Sequence, residues 1–260
     1  MAETYIHGHD ESVLASHRWR SAANSAGYLL PRLRADDWIL DVGAGPGTIT
    51  KDFAHHAHRG HVVALDRTAP IIVDATKAGD GVIGIVGDAY ALPFGDRSFD
   101  IVHAHQVLQH LRDPARAIAE MCRVARRQIA FADADYDKML WWPNTPALTR
   151  WMAIYQAIAA DNHVNPNIGR QLPALASSCG LTSYTVHTIN WTYATAQERQ
   201  WWARSWAGRV RHSTYATEAL RLGLADTHEL DEIAEGWLAW ANTEGALFCI
   251  TSVAVLADRP

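Results

Sequence analysis

From residue 38 onward the chain alternates short apolar runs with amphipathic stretches. Residues 38–42 (WILDV) read as a buried strand, and 48–58 as the helix that follows it. Residues 61–66 (HVVALD) form a second strand, rich in β-branched residues. A helix over 70–78 accepts Pro70 in its first turn. Strands follow at 82–86 and 99–104. Asp113 then caps a helix that has Pro114 at its first position and runs to about Ala125, and a fifth strand covers 128–132. Ahead of this series, Val13, Leu14, His17, Ala22, Leu29 and Leu30 give a helical stripe. They predict one helix over 12–33, capped by Asp10 or Ser12 and closing near Pro31.

The rhythm changes after Asp133. Helices are predicted over 145–160 and 167–179, the second ended by Gly180, then a strand over 181–191. Helices over 195–222 and 226–242 precede a last apolar strand over 246–256. Strand–helix alternation of this kind predicts an α/β fold, a doubly wound, mostly parallel seven-stranded sheet with helices on both faces. The domain reading is a lid helix over 1–34 and a sheet domain over 35–260. Helical insertions at about 138–180 and 195–243 form a cap over the active site. Ligands in such sheets bind beyond the carboxyl ends of the strands.

Composition narrows the function. The 260 residues are 48% hydrophobic and 20% charged, a globular balance. A net charge of -5 and the lack of a basic tract argue against a nucleic-acid partner. No run approaches the roughly 20 apolar residues of a membrane span, and the first twenty residues do not have the make-up of a signal peptide. Cys122, Cys179 and Cys249 are odd in number and scattered, which fits reduced thiols and a cytoplasmic location. Nine of the eleven tryptophans lie beyond residue 140. They either fill a helical core or line an aromatic pocket, and both readings stay open.

The chemistry gathers at strand ends. The run Asp41-Val42-Gly43-Ala44-Gly45-Pro46-Gly47-Thr48 takes a strand through glycines into a helix, where the backbone can approach a ligand closely. It lacks the G-x-G-x-x-G spacing of a dinucleotide loop and is not a phosphate P-loop. Asp66 ends the second strand, where a carboxylate can accept from a ribose diol. Gly87-Asp88-Ala89 follows the third strand. Leu92-Pro93-Phe94-Gly95-Asp96-Arg97-Ser98-Phe99-Asp100 leads into the fourth.

In this order the motifs resemble the class I S-adenosylmethionine-dependent methyltransferases, the subgroup similar to the ubiquinone and menaquinone biosynthesis enzymes. The resemblance is strong from Trp38 to about Asp133 and looser toward Gly169-Arg170-Gln171-Leu172-Pro173 and the final strand. It implies S-adenosylmethionine as cofactor, released as S-adenosylhomocysteine. Asp41, Gly43, Ala44, Gly45 and Thr48 then surround its methionine part. Asp66 holds the ribose, Asp88 and Ala89 contact the adenine, Gln106 lies near the sulfonium, and Arg67 and Gly87 are further cofactor-binding candidates. Tyr5 and Arg20 belong to an N-terminal lid; Arg20 pairs either with the cofactor carboxylate or in a surface salt bridge.

Methyl transfer is an in-line displacement, so alignment and exclusion of water matter more than a nucleophilic array. Where the acceptor must lose a proton, a histidine near neutral pKa suits the task. His110 and His105, after the fourth strand, are the catalytic candidates. Trp141, Trp142, Tyr155, Arg170 and Trp191 are the candidates around a small aromatic or amphipathic acceptor. Asp133 and Asp135 either bind an acceptor or a cation or, as the safer reading, are solvated loop carboxylates; His55, His56 and His58 read as a solvated helix face, and no metal site is expected. The chain is expected to act as a monomer or homodimer. The alternatives are methylation of a protein or RNA, a non-catalytic module that binds S-adenosylmethionine, and an NAD-dependent oxidoreductase.

Overall fold

The computed structural model describes residues 17–78 and 81–259. Expectations for Tyr5 and for the helix before residue 17 lie outside them. The chain divides into two compact units. The larger comprises His17–Ala134, Ile168–Ile189 and the chain from Ser252 on; the smaller includes Asp135–Asn167 and Asn190–Thr251. Residues 168–180, expected in the first insertion, belong to the larger unit.

In the larger unit five parallel strands run in the order β3-β2-β1-β4-β5: β1 (Trp38–Val42), β2 (His61–Asp66), β3 (Val82–Val86), β4 (Phe99–His105) and β5 (Ala125–Ala134). β8 (Leu247–Asp258) adds antiparallel to β5, from Ser252 opposite Ala134 to Asp258 opposite Gln128. β7 (Tyr184–Tyr193) pairs with β8. The strand order reverses between β1 and β4, whose carboxyl ends open the crevice where such sheets bind ligands.

Side-chain alternation feeds two cores. Leu40, Val42, Val63 and Phe131 pack on one face with Ile118 and Met121 of α4 (Pro114–Val124) and Leu172 of α6 (Leu172–Ser178). Ile39, Val62 and Ile101 pack on the other with Ile49 and Phe53 of α2 (Thr48–His56) and with Ala22 of α1 (Ala22–Ser25). α3 (Ala69–Ala78) adds Ile72 and Ala75 against Ala64. Burial on both faces explains why the central strands read as continuous apolar runs.

The long first helix is corrected in its described part. α1 starts at a capping box formed by Ser21 and Asn24 and spans only four residues; a 3-10 turn at Leu30–Arg32 follows. Ser21 caps a new helix rather than continuing an old one, and Pro31 fits the first positions of the second turn.

The smaller unit holds β6 (Leu140–Trp142), a strand the sequence did not predict, which makes eight strands rather than seven; it pairs with the first residues of β8. Its helices are α5 (Pro146–Asp161), α7 (Ala196–His212), α8 (Thr214–Arg221) and α9 (Thr227–Ala241). One helix was expected over 195–222. Ser213 breaks it with extended backbone (ψ -177) and caps α8 by accepting from the Tyr215 amide.

Six of the nine tryptophans of this unit are core, while Trp142 is exposed. Trp151, Trp206, Trp237 and Trp240 are at most 1% exposed. Trp151 meets Trp206 and Trp237 edge-on at 4.5 and 5.0 Å between centroids, the arrangement ring quadrupoles favour. The Arg209 guanidinium lies 4.8 Å over Trp206. No helix among the described residues is long and apolar enough to cross a membrane.

Candidate active site

The site of the larger unit is built at the ends of β1, β2 and β4. Gly43, Gly45 and Gly47 all have positive φ (66, 56 and 78°), the region that favours glycine. A Cβ on Gly43 would lie 2.4 Å from Val107 Cγ2, so this glycine lets the turn close against the segment after β4. At Gly45 a Cβ would meet nothing nearer than His17 Nδ1 at 4.0 Å, so that backbone is open for a ligand to approach. Gly47 precedes α2 and gives its first turn no side-chain cap. That leaves N–H groups and the positive end of the helix dipole facing the turn.

Asp66 serves this turn directly. Its Oδ2 accepts from the Gly45 amide at 3.2 Å and its Oδ1 from the Thr68 amide at 3.0 Å. The Gly87 amide donates to the Asp66 carbonyl at 3.0 Å, which joins the end of β3 to the same place. Asp88 and Arg67 are exposed, while Gly87 and Ala89 are half-buried. Asp88 accepts from the Tyr90 amide at 2.9 Å, which fixes its carboxylate in the turn after β3.

The N-terminal segment straps across the turn. Thr48 Oγ1 donates to the His17 carbonyl at 3.2 Å, and the Ala22 amide donates to Asp52 at 2.8 Å. Arg20 Nη2 donates to Gln106 Oε1 at 2.6 Å. Gln106 itself has φ 54°, uncommon for a residue with a side chain, and its amide donates to the Ala132 carbonyl at 2.7 Å. The structure therefore brings together Arg20, Asp41, Gly43, Ala44, Gly45, Thr48, Asp66 and Gln106 around one turn, with Gly87, Asp88 and Ala89 one strand further along.

The electrostatics correct the catalytic candidates. Burial, helped by the Arg20 charge, holds His105 well below the usual histidine range and lowers His110 to about 3. Neither imidazole has the near-neutral basicity that a general base at this site needs. Asp133 and Asp135 are not solvated: they are 0% and 4% exposed. Asp133 accepts from the Leu108 and Gln109 amides at 3.1 and 3.4 Å, pinning the segment after Gln106. Burial outweighs these amides and Arg20, and its carboxyl rises to about 8. His55, His56 and His58 are exposed.

The acceptor candidates separate. Tyr155 is fully buried and stacked at 4.5 Å on Tyr136, so it is core of the smaller unit rather than an open wall. Trp191 is 6% exposed and likewise core. Trp141 is half-buried and donates to Asn144 at 3.2 Å. Trp142, 56% exposed, and Arg170, also exposed, are accessible. Gly169 lets the Arg170 segment touch β5, since a Cβ there would lie 2.7 Å from the Asp133 carbonyl.

Two residues escaped the sequence reading. His103 stands opposite Asp41 in the β1–β4 register and its Nδ1 is 2.8 Å from Asp41 Oδ1; Thr50 Oγ1 donates to Asp41 Oδ2 at 2.5 Å. A histidine in the apolar run of β4, facing inward like Ile101, was the available signal.

Comparison with known proteins gives the family and the fold. A methyltransferase domain family matches residues 40–131. The ubiquinone/menaquinone biosynthesis C-methyltransferase UbiE of Roseobacter denitrificans is 30% identical over 177 residues, 62% of this chain and 68% of the relative. An uncharacterised methyltransferase of Schizosaccharomyces pombe is 29% identical over 264 residues, 95% of this chain and 93% of its own. The solved YcgJ protein of Bacillus subtilis shares the fold, with a TM-score of 0.58 at 20% identity over 90% of this chain and 97% of that one. The chain belongs to the class I S-adenosylmethionine-dependent methyltransferases. Within that class it resembles the ubiquinone and menaquinone biosynthesis subgroup, and its cofactor is S-adenosylmethionine.

Proposed function

We propose that this methyltransferase acts on a small aromatic or amphipathic molecule by in-line transfer. The observation that carries this reading is the relative named for ubiquinone and menaquinone biosynthesis, of which this chain covers 68%. The end of β4 and the segment that follows it support the reading. Their imidazoles are held neutral and Asp133 is withdrawn from water, which suits alignment of an uncharged acceptor. The cofactor is assigned to the turn at Gly43–Gly47, with Asp66 and Arg67 at the ribose, Gly87, Asp88 and Ala89 at the adenine, and Gln106 at the sulfonium. Arg20 holds Gln106 in place. His105 and His110 act as neutral packing and hydrogen-bonding groups. Arg170, in the same unit as the turn, is the acceptor contact. The three free cysteines support a reducing, cytoplasmic setting, and the working state is a monomer or homodimer.

The test is transfer of labelled methyl from S-adenosylmethionine to a panel of hydroquinones, phenols and amines, run beside protein and RNA fractions. Label in a small hydroquinone or phenol is the expected result. Label confined to protein or RNA contradicts the proposal. Cofactor binding without product on any acceptor would identify a non-catalytic module.

A further inference from the structure

Asp41 stands at the end of β1, immediately before the cofactor turn, yet both of its carboxylate oxygens are already engaged. Oδ1 faces His103 Nδ1 at 2.8 Å and Oδ2 accepts from Thr50 Oγ1 at 2.5 Å. The Asp41 and His103 side chains are 4% and 0% exposed, and Thr50 is fully buried. A carboxylate only accepts, so the proton of His103 sits on Nδ1. His103 Nε2 is buried with no hydrogen-bond partner among the described residues. The imidazole is thus committed to Asp41, and Phe53 of α2 closes over it edge-on at 5.0 Å.

This is a costly arrangement for a fold. A buried charge is tolerated only with good partners, and apolar side chains of similar volume often serve stability as well. The charge also has a place. The uncapped start of α2 presents a positive dipole end at the turn, and the cofactor brings a sulfonium cation to it. A fixed negative charge under the turn offsets both, and in a buried setting it acts over several ångströms.

We propose that Thr50 and His103 are positioning residues that hold the Asp41 carboxylate as a buried counter-charge to the sulfonium. Asp41 then acts on the cofactor across the backbone of the turn and not as a direct ligand. The inference rests on the cofactor assignment and concerns charge. S-Adenosylmethionine carries the cation, whereas S-adenosylhomocysteine is a neutral thioether of nearly the same shape. The network therefore favours the donor over the spent product.

Calorimetry with both compounds on the wild type, Thr50→Val, Thr50→Ser and Asp41→Asn tests this. Thr50→Val keeps the shape and removes one donor to a charged acceptor, a loss on the order of tenfold for S-adenosylmethionine. S-Adenosylhomocysteine is expected to weaken clearly less, and Thr50→Ser to restore the wild-type ratio. Asp41→Asn, which keeps shape and removes charge, is expected to narrow the same ratio should Thr50→Val fold poorly. Equal weakening of both compounds, or an unchanged ratio in Asp41→Asn, overturns the inference and leaves the cofactor assignment standing. A wild type that binds neither compound overturns the assignment itself.

Discussion

At the scale of single residues, burial decides more of this site than chemical type does. His110 and Asp133 flank the same segment, and both are pushed toward their neutral forms. Their consequences for stability run in opposite directions. His110 titrates at about 3 in the fold against an ordinary 6.5, so the unfolded chain gains a proton first as pH falls. Stability is lost between those values on the acid side. Asp133 titrates at about 8 against 3.8, so the unfolded chain loses its proton first as pH rises. Stability is lost from about pH 4 toward pH 8. Thermal unfolding across this range is expected to show His110→Gln flattening the loss below about pH 6.5 and Asp133→Asn flattening the loss between about pH 4 and pH 8. Unaltered slopes in both variants contradict the shifts. Burial of Asp133 was not legible in the sequence, because Asp133 in FADAD looks like a loop acid until the strand is seen to continue to Ala134.

Elements were legible where backbone chemistry is local. β2 and β3 match their expected bounds because β-branched runs leave few alternatives. Asp113 caps α4 as its sequence position implied, accepting from the Arg116 amide at 3.1 Å. The glycine-rich turn was legible because positive φ at Gly43, Gly45 and Gly47 needs glycine. What escaped depends on distant partners. β6 is three residues long and exists through β8. The break at Ser213 competes with an otherwise continuous helical pattern. The Thr50–Asp41–His103 contact needs the register of β1 against β4. The tryptophans show the same limit, since composition supported core and pocket alike. Their packing makes a firm expectation: Trp151→Ala removes a fully buried ring from the smaller unit and costs about 3–5 kcal/mol. Denaturant unfolding followed by near-UV circular dichroism measures it. A loss below 1 kcal/mol contradicts the packing described.

For the whole molecule, fold and cofactor rest on independent supports. The sheet order places the crevice at the β1–β4 reversal, and the glycine turn and Asp66 occupy that crevice. A relative of the ubiquinone and menaquinone biosynthesis group matches the chain over 177 residues. The acceptor is less readable for a physical reason. Two of the aromatic residues the sequence offered for it, Tyr155 and Trp191, are packed into a core, and no short backbone motif marks the others. The order Asp41–Thr48, Asp66, Gly87–Ala89 ties the chain to a sulfonium cofactor more firmly than the Gly-rich turn does alone. The most direct check of that claim is calorimetric titration of S-adenosylhomocysteine into the wild type and Asp66→Ala. Saturable one-site binding is expected in the wild type, weakened about tenfold or more in Asp66→Ala, which still unfolds cooperatively on heating. Equal affinity in the two proteins, or binding of a nicotinamide dinucleotide in place of S-adenosylhomocysteine, would contradict the account.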